Sequence, residues 1–162
     1  MSEYNKLIND INNRKFSPVY LIHGQENYFS DKIIKHLVSN IISEDAVDFD
    51  LKKIYGKKSD ENQESEVIDF IKRFPLSGDY NLVVVRDSKN LSNDFNNIVS
   101  YIENSNSKSI LVLAFNENID KRKKIYKSSQ KNGVVFESKK IYENQVYKWI
   151  EDQCALISLN LH

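Results

Sequence analysis

The residues best placed to do chemistry are those from Gly24 to Asp31, GQENYFSD, which follow the apolar run Val19 to Ile22 and lead into a helical pattern. A loop at that point can hold nucleotide phosphates. A working one reads G-x-x-x-x-G-K-[ST]: the glycines let backbone N–H groups wrap the phosphates, the lysine reaches the outer ones and the hydroxyl holds Mg²⁺. Counted from Gly24, the second glycine is Phe29, the lysine is Ser30 and the hydroxyl is Asp31. All three positions fail. Phe29 is bulky where backbone must approach phosphate, and Asp31 and Glu26 would repel a triphosphate at short range. A metal-holding acid is expected at a neighbouring strand end, but Leu82 to Val85 is followed by Arg86, and strand alternation turns Asp87 to the other side. Only Asn116, past another apolar run, matches a polar phosphate sensor. The expectation is a degenerate phosphate loop, with no ATP hydrolysis and no cofactor. The alternative is a divergent nucleotide-binding or phosphotransfer domain, for which Lys32 or Arg86 would be the phosphate-site cation.

Other reactive residues offer less. His23, His36 and His162 are scattered without ligand spacing, so no metal site is expected. There is no G-x-S-x-G elbow. The single cysteine, Cys154, falls on the apolar side of a helix pattern and reads as inert core. The densest basic run is Lys121, Arg122, Lys123, Lys124 and Lys127. It is a candidate contact with DNA or a protein partner, although most such runs are the solvated face of a helix.

These residues must be positioned by a fold that the hydrophobic pattern outlines. The chain has 162 residues, 40% of them hydrophobic and 28% charged, and its 23 basic residues balance 23 acidic ones. That is ordinary globular composition, and a neutral total argues against a dedicated DNA-coating protein. No apolar run approaches the roughly 20 residues that span a bilayer, and the first residues lack an apolar signal core, so a cytoplasmic protein without membrane contact is expected. Val19–Ile22, Leu82–Val85, Ile110–Leu113 and Val134–Phe136 are apolar without alternating, as strands buried on both faces are. Asp48–Tyr55 begins by alternating, with Phe49 and Leu51 on one side, and reads as an edge strand.

Between the strands run helical patterns. Tyr4, Leu7, Ile8 and Ile11 open the chain. Ile33 to Ile42 follow the loop, with Ser30 or Asp31 as the cap. Val67, Ile68, Ile71 and Phe74 lead to Pro75, which should end their helix. Phe95 to Ile102 form the next, and a basic helix runs from about Asp120 to Gln130, closed by Asn132-Gly133. Helices between buried strands are the crossovers of a parallel sheet. The predicted fold is a three-layer α/β/α domain on a five-stranded parallel sheet. Val146, Trp149, Ile150, Cys154 and Ile157 then line one side of a final helix. It is expected to begin a second, helical domain at 141–162, or otherwise to dock on the first.

Three blocks carry a family resemblance: PVYLIHGQENYFSDKII (Pro18–Ile34), RFPLSGDYNLVVVRDSKNL (Arg73–Leu91) and DKRKKIYKSSQKNGVVFESKKIYENQVYKWI (Asp120–Ile150). In this order they resemble the N-terminal part of the bacterial DNA polymerase III delta subunit, the clamp-loader subunit that opens the sliding clamp in DNA replication. The resemblance implies a RecA-like, AAA+-type domain at 1–140 without a working ATP site, and a sheet in which the fifth strand lies beside the first, then the fourth, third and second. It implies the sliding clamp (beta subunit) and other loader subunits as partners, with DNA reached through the assembled polymerase, whose nucleotidyl transfer belongs to other subunits. The family's clamp contact, before the third strand, falls on Phe74, Pro75 and Leu76, where better-known members carry Leu-Phe. Spacing alone instead gives Phe74 to the core face of its helix, while Leu76 is left to the contact.

Overall fold

The computed structural model describes residues 2–140 and 143–160. Ser2 caps the first helix, α1 (Glu3–Asn12), by accepting from the Asn5 N–H at 3.2 Å, and Tyr4, Leu7, Ile8 and Ile11 form its buried face. The chain continues through β1 (Val19–His23), α2 (Asn27–Ile41), the single-turn α3 (Val47–Asp50), β2 (Leu51–Tyr55), α4 (Gln63–Lys72), β3 (Asn81–Arg86), α5 (Asn96–Glu103), β4 (Ser109–Ala114), α6 (Lys124–Asn132), β5 (Val134–Glu137) and α7 (Glu143–Asn160).

The five strands form one sheet of order β2-β3-β4-β1-β5, and every neighbouring pair is parallel. Successive side chains point to opposite faces, so each apolar run feeds two cores. Tyr20, Ile22, Leu82, Val84, Ile110 and Val112 pack with α1 and α2. Val19, Leu21, Val83, Val85, Leu111 and Leu113 pack with α4, α5 and Ile125 of α6. This is the predicted three-layer α/β/α domain. The edge strand β2 leaves Lys53 and Tyr55 exposed and buries Ile54, the composition of an edge guarded against further pairing.

Several boundaries differ from expectation. Asp48 to Asp50 belong to α3 rather than to the edge strand, and Phe49 is 51% exposed instead of packing beside Leu51. Four residues of alternation are too few to distinguish a strand from one helical turn. The second helix starts before Ser30 and Asp31, so neither caps it; Glu26 does. The basic helix starts at Lys124 rather than Asp120, because Asp120 caps a turn of its own, accepting from the Arg122 N–H at 2.9 Å while the Lys123 N–H reaches its carbonyl at 3.1 Å. In α7, Trp149 is half-buried against the rings of Tyr28 and Phe29, at 5.5 and 6.4 Å. Cys154 is exposed rather than core, as are Ile150 and Ile157, because α7 instead turns Lys148, Asp152 and Leu156 toward the groove they line with Asn5 and Asn9 of α1. His162 lies outside the described residues. Among the described residues no helix is long and apolar enough to cross a membrane.

Candidate functional site

All strands run the same way, so the loop after β1 lies at the carboxyl edge of the sheet and the loop before β3 at the amino edge. The first is the would-be phosphate site, and its own residues fill it. Gly24 has φ +125°, and a methyl group there would sit 2.2 Å from the Ser138 carbonyl oxygen. Glycine is therefore required by the close approach of the chain leaving β5. The Gly24 N–H donates to the Glu117 carbonyl at 3.0 Å, and the Ser138 hydroxyl donates to the Glu26 carbonyl. A free helix N-terminus attracts anions, but here the Glu26 carboxylate takes that position, accepting from the Tyr28 N–H at 3.0 Å.

Phe29 is buried edge-on against Tyr4, with ring centroids 4.9 Å apart. Burial, with the nearby Tyr28, pushes the Tyr4 phenol up to about 12. Ser30 is buried one turn into the helix. Asp31 accepts from Arg86 at 2.5 Å, and Lys32 lies 5.6 Å from the centre of the Tyr28 ring. Both candidates for the cation of a divergent phosphate site are thus engaged. Asp87 does not point away as alternation predicts. The strand ends at Arg86, Asp87 takes a left-handed conformation at φ +50°, and its carboxylate accepts from the Asn116 side chain, so the candidate sensor is occupied too. His23, beside the loop, is buried, which pushes its imidazole pKa down; Glu137 opposes that and Lys121 adds to it. No cluster of three or more metal-ligating side chains occurs among the described residues.

The basic run is divided. Arg122 folds back on Asp120, at 2.9 Å, and holds that carboxyl down to about 2, while Lys121 lies 4.0 Å from Glu137. Lys124 and Lys127 stand on α6 and, with Lys131, line a groove against Asn96, Ser100 and Glu103 of α5.

The amino-edge loop is built differently. α4 ends at Lys72, Arg73 is extended at ψ 162°, and Phe74 precedes Pro75, which disfavours helix for the residue before it. Phe74 is therefore 71% exposed and Leu76 69%, which corrects the assignment of Phe74 to the helix core. The backbone between them is tied down. The Arg73 guanidinium sits 4.0 Å over the Phe70 ring and donates to the Phe49 carbonyl, and Asn81 donates to the Arg73 carbonyl at 2.5 Å. Asp50, fully buried, accepts from the N–H groups of Leu76, Ser77 and Gly78 at 2.6, 2.9 and 2.6 Å. Burial would raise its pKa, but these three donors and the Arg73 charge outweigh that and hold it below the ordinary carboxylate value. Past Gly78, Tyr80 packs edge-on against Phe16 at 5.7 Å. Sequence reasoning missed Asp50 and the exposed Phe49. The one available signal was a carboxylate between two apolar residues, Phe49 and Leu51, with no charged partner adjacent in sequence.

Comparison with known proteins bears on the fold and the family. The profile of the family described as DNA polymerase III, delta subunit matches residues 20–139. DNA polymerase III subunit delta of Bacillus subtilis is 24% identical over 134 residues, covering 76% of this chain and 38% of that protein. The solved structure of the Bacillus subtilis DNA clamp loader delta protein YqeN superposes with a TM-score of 0.79 at 20% identity, over 90% of this chain and 45% of that one. A DNA polymerase III gamma subunit-related protein from Thermotoga maritima has the same fold at a TM-score of 0.57 and 14% identity, over 89% of this chain and 48% of that one. The chain thus spans less than half the length of each. With the family profile matched from β1 through the residues that follow β5, this chain belongs to the DNA polymerase III delta-subunit family.

Proposed function

We propose that this chain is the clamp-gripping part of a clamp-loader delta subunit, which acts in the cytoplasm by binding and opening the sliding clamp and hydrolyses no ATP itself. The observation that carries the reading is the pair of exposed apolar side chains, Phe74 and Leu76, on a loop whose backbone is held in place. Fully burying one such side chain in a partner pocket is worth about 1.5–3 kcal/mol, and a few anchors of this kind dominate most interfaces. Pro75 stiffens the segment between them. The mechanism is differential binding: a loop that grips an open or strained clamp better than a closed one shifts the ring toward opening. ATP is then used by partner subunits, which fits a phosphate loop filled by Glu26, Phe29 and the Arg86–Asp31 pair. In this reading residues 1–140 are the AAA+-like domain and 141–162 begin a helical second one. Lys124 and Lys127, which line the α5–α6 groove, are candidate contacts with DNA or a neighbouring subunit.

The test is equilibrium binding to purified clamp without nucleotide. Phe74→Ala combined with Leu76→Ala should weaken binding by about tenfold or more; unchanged affinity rejects the site. Titration calorimetry with Mg-ATP should show no micromolar binding, and its detection would favour the nucleotide-binding alternative.

A further inference from the structure

Asp50 closes α3 with a side chain that has no exposed surface. Taking a carboxylate out of water is unfavourable unless strong donors replace the water. Here they come from a distant stretch of chain: Oδ1 accepts from Leu76 N, and Oδ2 from Ser77 N and Gly78 N. Three successive backbone N–H groups wrapped around one anion make a nest, and in this case the anion is the protein's own. A loop that merely joined α4 to β3 could leave those N–H groups to water. Fixing them on a buried charge restricts the backbone at the point where Leu76 projects into solvent. The other ties lie just upstream, where Arg73 is held by Phe70, by the Phe49 carbonyl and by Asn81. Phe74 and Leu76 thus project from between two fixed points.

The geometry points to Asp50 as a positioning residue for the clamp contact: by holding the N–H groups of Leu76, Ser77 and Gly78 it sets Phe74 and Leu76 in the binding arrangement before the partner arrives. This rests on the reading of that loop as the clamp contact. Preorganisation raises affinity by removing the ordering cost from the binding step. Without it, affinity falls by the fraction of time the loop spends in the competent arrangement.

The experiment uses the full-length subunit and purified clamp. Asp50→Asn should bind about tenfold more weakly, and should cause no further loss when added to Phe74→Ala/Leu76→Ala. A full extra loss in that background, or unchanged affinity of Asp50→Asn alone, overturns the inference while leaving the clamp reading in place. Failure of the wild type to bind clamp overturns both. Amide hydrogen exchange of the free wild type supplies a readout that does not depend on how the variant folds. The amides of Leu76, Ser77 and Gly78 should be protected, and exchange there at unstructured-peptide rates overturns the inference. In Asp50→Asn protection should fall further at these three amides than at the amides of α4 and β3, whereas general destabilisation alone would lower the core amides at least as much.

Discussion

At the carboxyl edge of the sheet, residues 24–31 turn a phenylalanine inward and satisfy their own charges; at the amino edge, residues 73–80 turn a phenylalanine outward while a buried carboxylate holds their backbone. In the first loop Glu26 caps a helix that a phosphate would otherwise approach, and Asp31 neutralises Arg86. In the second, Asp50 does for three N–H groups what a bound anion does in a phosphate cradle. Both loops therefore hold an internal anion, but with opposite results. One anion closes a binding site, and the other fixes a surface on which two apolar side chains are left free. The contrast separates the two ends of the sheet: the carboxyl-edge loop is closed on its own side chains, while the amino-edge loop leaves two apolar side chains in solvent.

The sharpest way to break the comparison is to truncate both phenylalanines. Phe29→Ala removes a ring packed on Tyr4 and Trp149 and should cost about 3–5 kcal/mol in denaturant unfolding. Phe74→Ala, with its ring in solvent, should change stability by less than about 0.5 kcal/mol. Comparable losses would mean that Phe74 is a core residue and that the loop faces inward. Next in size is Asp50. Asp50→Asn should cost about 1.5–3 kcal/mol, the range for hydrogen bonds to a charged group.

The acid side of the stability curve reports on the same residue. The folded-state pKa of Asp50 lies below its ordinary value of 3.8. The unfolded chain therefore takes up the proton first, so the stabilisation is complete above that value and disappears as pH falls through the folded pKa. Wild type should lose more stability than Asp50→Asn on acidification below about pH 4. Equal losses would show that Asp50 is not held as an anion.

The fold was largely legible in the sequence, since four of the five strands are unbroken apolar runs; β1, β3 and β4 are buried on both faces as a parallel sheet between helix layers requires, while β5, at the second edge, is only half-buried. The departure of residues 24–31 from the phosphate-loop pattern is itself a sequence observation, a matter of residue identity at fixed offsets. What could not be read were contacts made across the chain. Asp50 meets Leu76, Ser77 and Gly78 some 26 to 28 residues away, and a short alternating segment concealed the helical turn that carries it. Phe74 sits seven places after Val67 and three after Ile71, the spacing of a helix face. That periodicity cannot show that Arg73 leaves the helix to stack on Phe70 and carries Phe74 out of the core. Asp87 was misplaced for a related reason: alternation holds only as far as the strand extends, and the strand ends one residue before it.

The smallest expected effect concerns the Arg86–Asp31 pair beside the loop after β1. Arg86 and Asp31 are 2.5 Å apart, but their side chains keep about a third and a half of their surface exposed. A pair so accessible to water gains little, and a double-mutant cycle with Arg86→Ala and Asp31→Ala should give a coupling of about 0.2–1 kcal/mol. The value matters because it separates two accounts of how the site is closed. If the ion pair were the main barrier, removing Asp31 would free Arg86 for phosphate, and Asp31→Ala should acquire measurable ATP binding. If closure is chiefly steric and local, with Phe29 packed in place of the second glycine and Glu26 on the helix end, Asp31→Ala should remain without micromolar affinity in calorimetry. The second outcome is expected, since no single substitution restores both a cation and the space for backbone to approach a phosphate.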